Sequence, residues 1–241
     1  MPFYQKNGKL PNKRHIQFRD KDKNLYWEEL ISREGFNDVY SNVYHLNPPT
    51  AIKKVGNIIP SLTQSHNKEH RHHHLKTRDL NLNGDAIESR EKLFFNSDVI
   101  LSKAMISKNM DYFYRNGHHD ECLFIHEGSG KLLTNFGNLE LSPGDYAIIP
   151  RGVIWQIDVK EKLEVLIIET NGPIKTPKRY RNNAGQLLEF SPFSERDIKV
   201  PKLTSPINDG PVKVKVKLTQ GTQSYEYKYH PFDIVGWDGY L

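Results

Sequence analysis

Residues 66–74 read HNKEHRHHH and hold the densest set of metal-ligating side chains in the sequence. His66 and His70 are four apart, so on a helix they would share one face with Glu69 beside them, as in a zinc pair. His72 is the natural third candidate, but nothing in the spacing fixes a third ligand. The same run also reads as a cationic, hydrogen-bonding strip that titrates near neutrality and adjusts subunit contacts. A second cluster, Gly117-His118-His119-Asp120-Glu121-Cys122, opens an apolar stretch. A mononuclear iron or zinc site needs about three well-placed nitrogen or oxygen ligands. Cys122 is the sole cysteine, which excludes an internal disulfide framework; in an apolar strand it is expected to be an inert buried thiol.

The elements that would position Glu121 are short strands. Apolar runs over 122–126, 131–136, 139–141, 146–149 and 153–157 are separated by Gly128-Ser129-Gly130, Gly137-Asn138, Ser142-Pro143-Gly144-Asp145 and Pro150. Such punctuation every few residues indicates antiparallel β structure. The order Pro143-Gly144-Asp145, four residues, Pro150-Arg151-Gly152, two residues, then Trp155 resembles the second half of the cupin pattern, a small jelly-roll barrel that often holds a metal. Metal-binding cupins carry His at the position of Trp155. In the first half, Glu121 falls on the acidic position, but the two His positions upstream fall among Tyr114 to Gly117, none of which is His. His118 and His119 lie too close to Glu121. The expectation is a degenerate cupin that folds without metal, its barrel plugged by its own side chains, Glu121 and Trp155 among them.

The remaining chain is read around this barrel. Its 241 residues, 37% hydrophobic, allow one sizeable core with a long arm. Residues 1–92 are expected to be an irregular arm packing on the barrel, and 93–241 a β-sandwich that looks incomplete at its C-terminal end. Within the arm, Tyr26, Leu30 and Ile31 suggest a short helix face ended by Gly35, and Pro48-Pro49 forces a loop. Residues 77–92 are polar, with a turn at Asn83-Gly84-Asp85. Strand signals resume near Leu93. Residues 163–170, LEVLIIET, read as a buried central strand; VKVKVKL and SYEYKYH read as an alternating pair, with Lys213, Lys215 and Lys217 on a wet face guarding a sheet edge. The fold class is therefore all-β, a jelly-roll sandwich with few short helices.

The net charge of +5 is spread over the arm, the 175–181 loop and this lysine strand, without interleaved aromatics, so no nucleic-acid partner is expected. No apolar run reaches bilayer length and the first residues lack an apolar signal core, so no membrane partner and a cytoplasmic location are expected.

The opening MPFYQKNGKLPNKRHIQFR, the segments YWEELISREGF, YHLNPPT and HRHHHLKT, the barrel run from Asn116 to Gly152 and the ending YHPFDIVGWDGY together resemble homogentisate 1,2-dioxygenases, in order and over nearly the whole chain. The resemblance implies a larger two-part protein whose N-terminal half corresponds to this chain. It implies a C-terminal half that binds Fe(II) through two His and one Glu and cleaves the ring of homogentisate with O2 to maleylacetoacetate, in tyrosine and phenylalanine breakdown. No position in 1–241 matches those ligands, so no catalytic residue, no bound cofactor and no activity of this chain alone are expected. The small aromatic substrate and O2 would be met through the other half, and a homo-oligomer is implied. The alternatives are a stand-alone non-metal cupin acting as a small-ligand or scaffold module, and a metalloenzyme using the 66–74 cluster.

Overall fold

The computed structural model describes residues 4–13, 16–33, 35–36, 39–61 and 71–240. The described strands fall into three sheets. The five-stranded sheet runs β11 (Tyr146–Ile149), β8 (Asp120–Glu127), β13 (Leu163–Thr170), β6 (Val99–Ile106), β5 (Glu91–Phe95). The seven-stranded sheet runs β10 (Gly137–Leu141), β9 (Gly130–Thr134), β12 (Ile154–Val159), β7 (Phe113–Asn116), β14 (Val212–Leu218), β15 (Gly221–Tyr227), β4 (Ile52–Pro60). These two enclose the main core, built from inward residues such as Leu123, Ile125, Leu132, Ile157, Val165 and Ile167. The arrangement is the all-β cupin jelly roll expected from the sequence. The smaller sheet runs β1 (Gln5–Gly8), β16 (Ile234–Gly239), β3 (Tyr40–His45), β2 (Trp27–Ser32).

The five apolar runs of the barrel are β8 to β12, and β8, β10 and β11 stop at or just before their Gly or Pro signals. β13 lies between β6 and β8, as its long apolar run requires. Its burial alternates strictly, so one face is core and the other is partly open. The β8–β9 turn needs glycine. Gly128 has φ +84°, and a Cβ there would stand 2.0 Å from the Lys162 carbonyl oxygen. Gly128→Ala is expected to cost about 1–3 kcal/mol in chemical denaturation, from left-handed strain plus displaced backbone.

Three expectations are corrected. Residues 27–32 are not helical. They form β2, antiparallel to β3 from Trp27↔His45 to Ser32↔Tyr40. The Tyr26/Leu30/Ile31 stripe fails because Leu30 is exposed while Ile31 is buried, and the short run takes its hydrogen bonds from a neighbouring strand instead. The arm is thus strand-rich rather than irregular: β4 pairs with β15, and β3 with β16, across most of the chain's length. The lysines of β14 do not guard an edge either. β14 is internal, parallel to β7 and antiparallel to β15. Its valines face a second core with Ile154, Tyr227 and Phe232, so its lysines turn toward the barrel end. Lys215 Nζ sits 3.4 Å from the centroid of the Tyr112 ring.

The C-terminal segment is well packed as far as Gly239. β16 is buried along its whole length. Trp237 Nε1 donates to the Phe136 carbonyl at 2.8 Å, and its ring meets Phe136 edge-on.

Candidate functional site

The barrel interior is the first candidate. Alternation along β7 points Tyr114 and Asn116 inward, both 2% exposed, and Arg115 outward. These are the two positions that the cupin pattern reserves for His. Glu121 on β8 and Trp155 on β12 are fully buried. Trp155 pairs with Tyr114 across β7 and β12, and Glu121 pairs with Glu169 across β8 and β13. The four pattern positions therefore converge, as a phenol, an amide, a carboxylate and an indole.

A guanidinium stands among them. The turn after Asn83 wraps around Asp85, whose carboxylate accepts from the Ile87 and Glu88 amides and from the Tyr112 hydroxyl. That turn delivers Arg90, whose Nε donates back to the Ala86 carbonyl at 2.8 Å. Arg90 Nη1 donates to Glu121 Oε1 at 2.6 Å and lies 3.4 Å from Glu169 Oε1. The guanidinium carbon is 5.5 Å from the Tyr114 ring centroid and 5.7 Å from that of Trp155. Trp155 Nε1 donates to Glu121 Oε2 at 3.2 Å. Asn116 Nδ2 donates to Glu169 Oε2 at 3.0 Å, and Lys217 Nζ donates to the same oxygen. His119 Nδ1 is 3.7 Å from it. Two carboxylates thus meet two cations, with the remaining lone pairs taken by an indole and an amide.

The protonation states follow from these contacts. Burial would raise the Glu169 carboxyl, but Arg90 and Lys217 outweigh it and hold it below its ordinary value. Burial lifts the Tyr114 phenol well above its ordinary range. Burial, with Lys217 nearby, pulls His119 down to about 4, so it is neutral at neutral pH. Fe(II) does not fit this arrangement. The acidic pattern position already accepts from a guanidinium and an indole, and the other three offer no imidazole.

His118 stacks edge-on against His119 and its Nδ1 lies 3.4 Å from Thr219 Oγ1, outside the barrel cluster. His66 and His70 lie outside the described residues. His72, His73 and His74 are exposed, and among the described residues no three His, Cys, Asp or Glu side chains are placed to hold a metal. Cys122 is buried on β8, and burial pushes its thiol up to about 11, away from thiolate chemistry. Among the described residues, no helix is long and apolar enough to cross a membrane.

A second polar constellation has no counterpart in the sequence expectations. His45, 2% exposed at the end of β3, has Nδ1 2.6 Å from Asp233 Oδ1 and Nε2 3.3 Å from Glu29 Oε2. Asp233 also accepts from the Asn47 amide at 2.8 Å, tying the loop after β3 to the chain before β16. Burial alone would lower His45, but Asp233 and Glu29 raise it to about 9. Asp233 is 188 residues from His45 in the chain, beyond any local motif.

Residues 87–241 match the family described as homogentisate 1,2-dioxygenase N-terminal. The chain belongs to the homogentisate 1,2-dioxygenase N-terminal family. Arg90 and the whole barrel cluster lie within that match. A Saccharolobus solfataricus protein whose name proposes a dioxygenase, without a substrate, is 41% identical over 243 residues, covering 100% of this chain and 63% of the relative. The homogentisate 1,2-dioxygenase of Bradyrhizobium diazoefficiens is 25% identical over 138 residues, 56% of this chain and 30% of the relative. That of Pseudomonas entomophila is 24% identical over 135 residues, 55% of this chain and 30% of the relative. The chain therefore spans under two thirds of the length of these relatives. Among solved structures, a cupin protein from Bacteroides fragilis is similar at 16% identity over 47% of this chain and 94% of its own, with a TM-score of 0.34.

Proposed function

We propose that residues 1–241 form the structural, metal-free half of an Fe(II)-dependent ring-cleaving dioxygenase that converts homogentisate and O2 to maleylacetoacetate, and that the iron half lies outside this stretch. Family membership and the greater length of the relatives support the dioxygenase part. One observation carries the assignment of this half as structural: Arg90 is bonded to Glu121 where the cupin pattern expects a metal ion. The half acts as scaffold and oligomer surface. Exposed apolar side chains on edge strands support a homo-oligomer, namely Trp27 and Leu30 on β2, Val55 and Ile59 on β4, and Phe94 and Phe95 on β5. The small aromatic substrate and O2 meet the other half, and the working location is cytoplasmic.

The test is oxygen uptake on homogentisate by residues 1–241 supplied with Fe(II). No uptake above the protein-free rate is expected. Iron-dependent turnover would overturn the assignment and send the search for ligands back to His118, His119 and the 66–74 run.

A further inference from the structure

A cavity of about 300 Å3 lies outside the barrel, between the small sheet and the outer face of the seven-stranded sheet. β2 and β3 contribute Glu29 and His45, β7 contributes the outward Arg115, and β15 contributes Tyr225 and Tyr227. The Pro48-Pro49 loop and Tyr229 close it on the other side. Its size is at the lower end for small-molecule sites, and it has their usual make-up of apolar and aromatic walls with a few convergent polar groups.

The charges inside it are not equivalent. His45 is clamped at 2.6 Å and 3.3 Å by Asp233 and Glu29, so those carboxylates are already engaged. Arg115 is held far more loosely. Its Nη2 is 3.9 Å from Glu29 Oε1, and its side chain keeps 27% of its surface accessible. Its guanidinium also shares a hydrogen bond with Tyr227. A guanidinium has five N–H donors in a fork that matches a carboxylate, and one tyrosine hydrogen bond with a 3.9 Å ion pair leaves part of that capacity unspent. A cationic ligand finds no unengaged carboxylate here. An isolated phosphate would leave the flat tyrosine and proline walls unused. A planar body fits those walls, and a single ring fits the volume, since benzene occupies a cavity of about 150 Å3.

We propose that this cavity binds a small organic carboxylate carried on a flat, ring-sized body, with Arg115 taking the carboxylate and Tyr225, Tyr229 and the Pro48-Pro49 loop holding the body. The site is independent of the dioxygenase reading, since it uses neither iron nor the barrel cluster, and a chain that turns homogentisate over could still bear it.

The experiment is an NMR titration of residues 1–241 at neutral pH with benzoate, its neutral isostere benzamide, and inorganic phosphate, following the tyrosine ring signals. Benzoate is expected to bind at least about tenfold more tightly than either of the others, with shifts centred on Tyr225 and Tyr229. Arg115→Gln should remove the preference for benzoate over benzamide. Glu29→Gln should tighten benzoate several-fold by removing the competing carboxylate, a gain that a purely structural role for Glu29 does not produce. Equal binding of benzamide, phosphate as good as benzoate, unchanged benzoate affinity in a folded Arg115→Gln, or no shift up to about 10 mM benzoate would each overturn the proposal.

Discussion

Arg90→Met is expected to lower the folding free energy by about 3–5 kcal/mol, because it strips the cation from two buried carboxylates without letting water in. Glu121 would keep only the Trp155 indole, and Glu169 would keep Asn116 and Lys217. The cost belongs to the orphaned carboxylate rather than to the lost aliphatic stem, so a second change should recover much of it. Arg90→Met with Glu121→Gln keeps the shape of the cluster and an acceptor for the indole, and it removes the unpaired charge. The double variant is expected to be more stable than Arg90→Met alone, although two sites have been changed. Urea denaturation of the wild type, the two single variants and the double variant reads this directly. Additive losses would mean that Arg90 and Glu121 do not act as a pair.

The second large effect is a pH dependence. His45 is raised from its ordinary 6.5 to about 9 by Asp233 and Glu29. A raised folded-state value means that the folded protein holds the proton more tightly than the unfolded chain. Its stabilisation is therefore complete below about pH 6.5 and is lost as pH rises through about 9. The shift corresponds to roughly 3 kcal/mol. His45→Gln should be less stable than wild type by about that amount near pH 6, and the difference should shrink steadily toward pH 10. Subtracting the two denaturation curves at each pH cancels the lysines and tyrosines that titrate in the same range. A difference that stays constant from pH 6 to 10 would show that His45 acts by shape rather than by charge.

His119 and Glu169 set the acid side. His119 is lowered to about 4, so the unfolded chain takes up its proton first and stability falls as pH drops from about 6.5 toward 4. Glu169 adds stability that is present above its ordinary carboxylate value and lost as pH falls through its depressed one.

What the sequence made legible was local. Gly and Pro punctuation marked β8 to β12 closely, because turn residues act within a few positions of themselves. The inward placement of Trp155 followed from a fixed offset to Pro143-Gly144-Asp145 and Pro150-Arg151-Gly152, and that of Glu121 from the Phe124 to Gly128 run after it. The partner of Glu121 was not legible. Arg90 sits in a polar stretch whose only signal was the turn at Asn83-Gly84-Asp85, and that turn proved to be the device that aims it. Lys217 looked like an edge lysine because alternation gives the side of a strand and not what faces that side. The four-residue spacing from Tyr26 to Leu30 mimicked a helix where pairing with β3 decided otherwise. His45, Glu29 and Asp233 come from three separate segments, and only the packing of β2, β3 and the approach to β16 joins them.

The central claim is that the cation of this barrel is Arg90 and that the barrel takes no metal. Anaerobic equilibrium dialysis of residues 1–241 against Fe(II), with iron measured in the protein compartment, tests it most directly. The barrel is expected to retain no stoichiometric iron, and any iron bound through the 66–74 run should be unchanged in Glu121→Gln. Stoichiometric iron that Glu121→Gln abolishes, while the variant stays folded, would contradict the account.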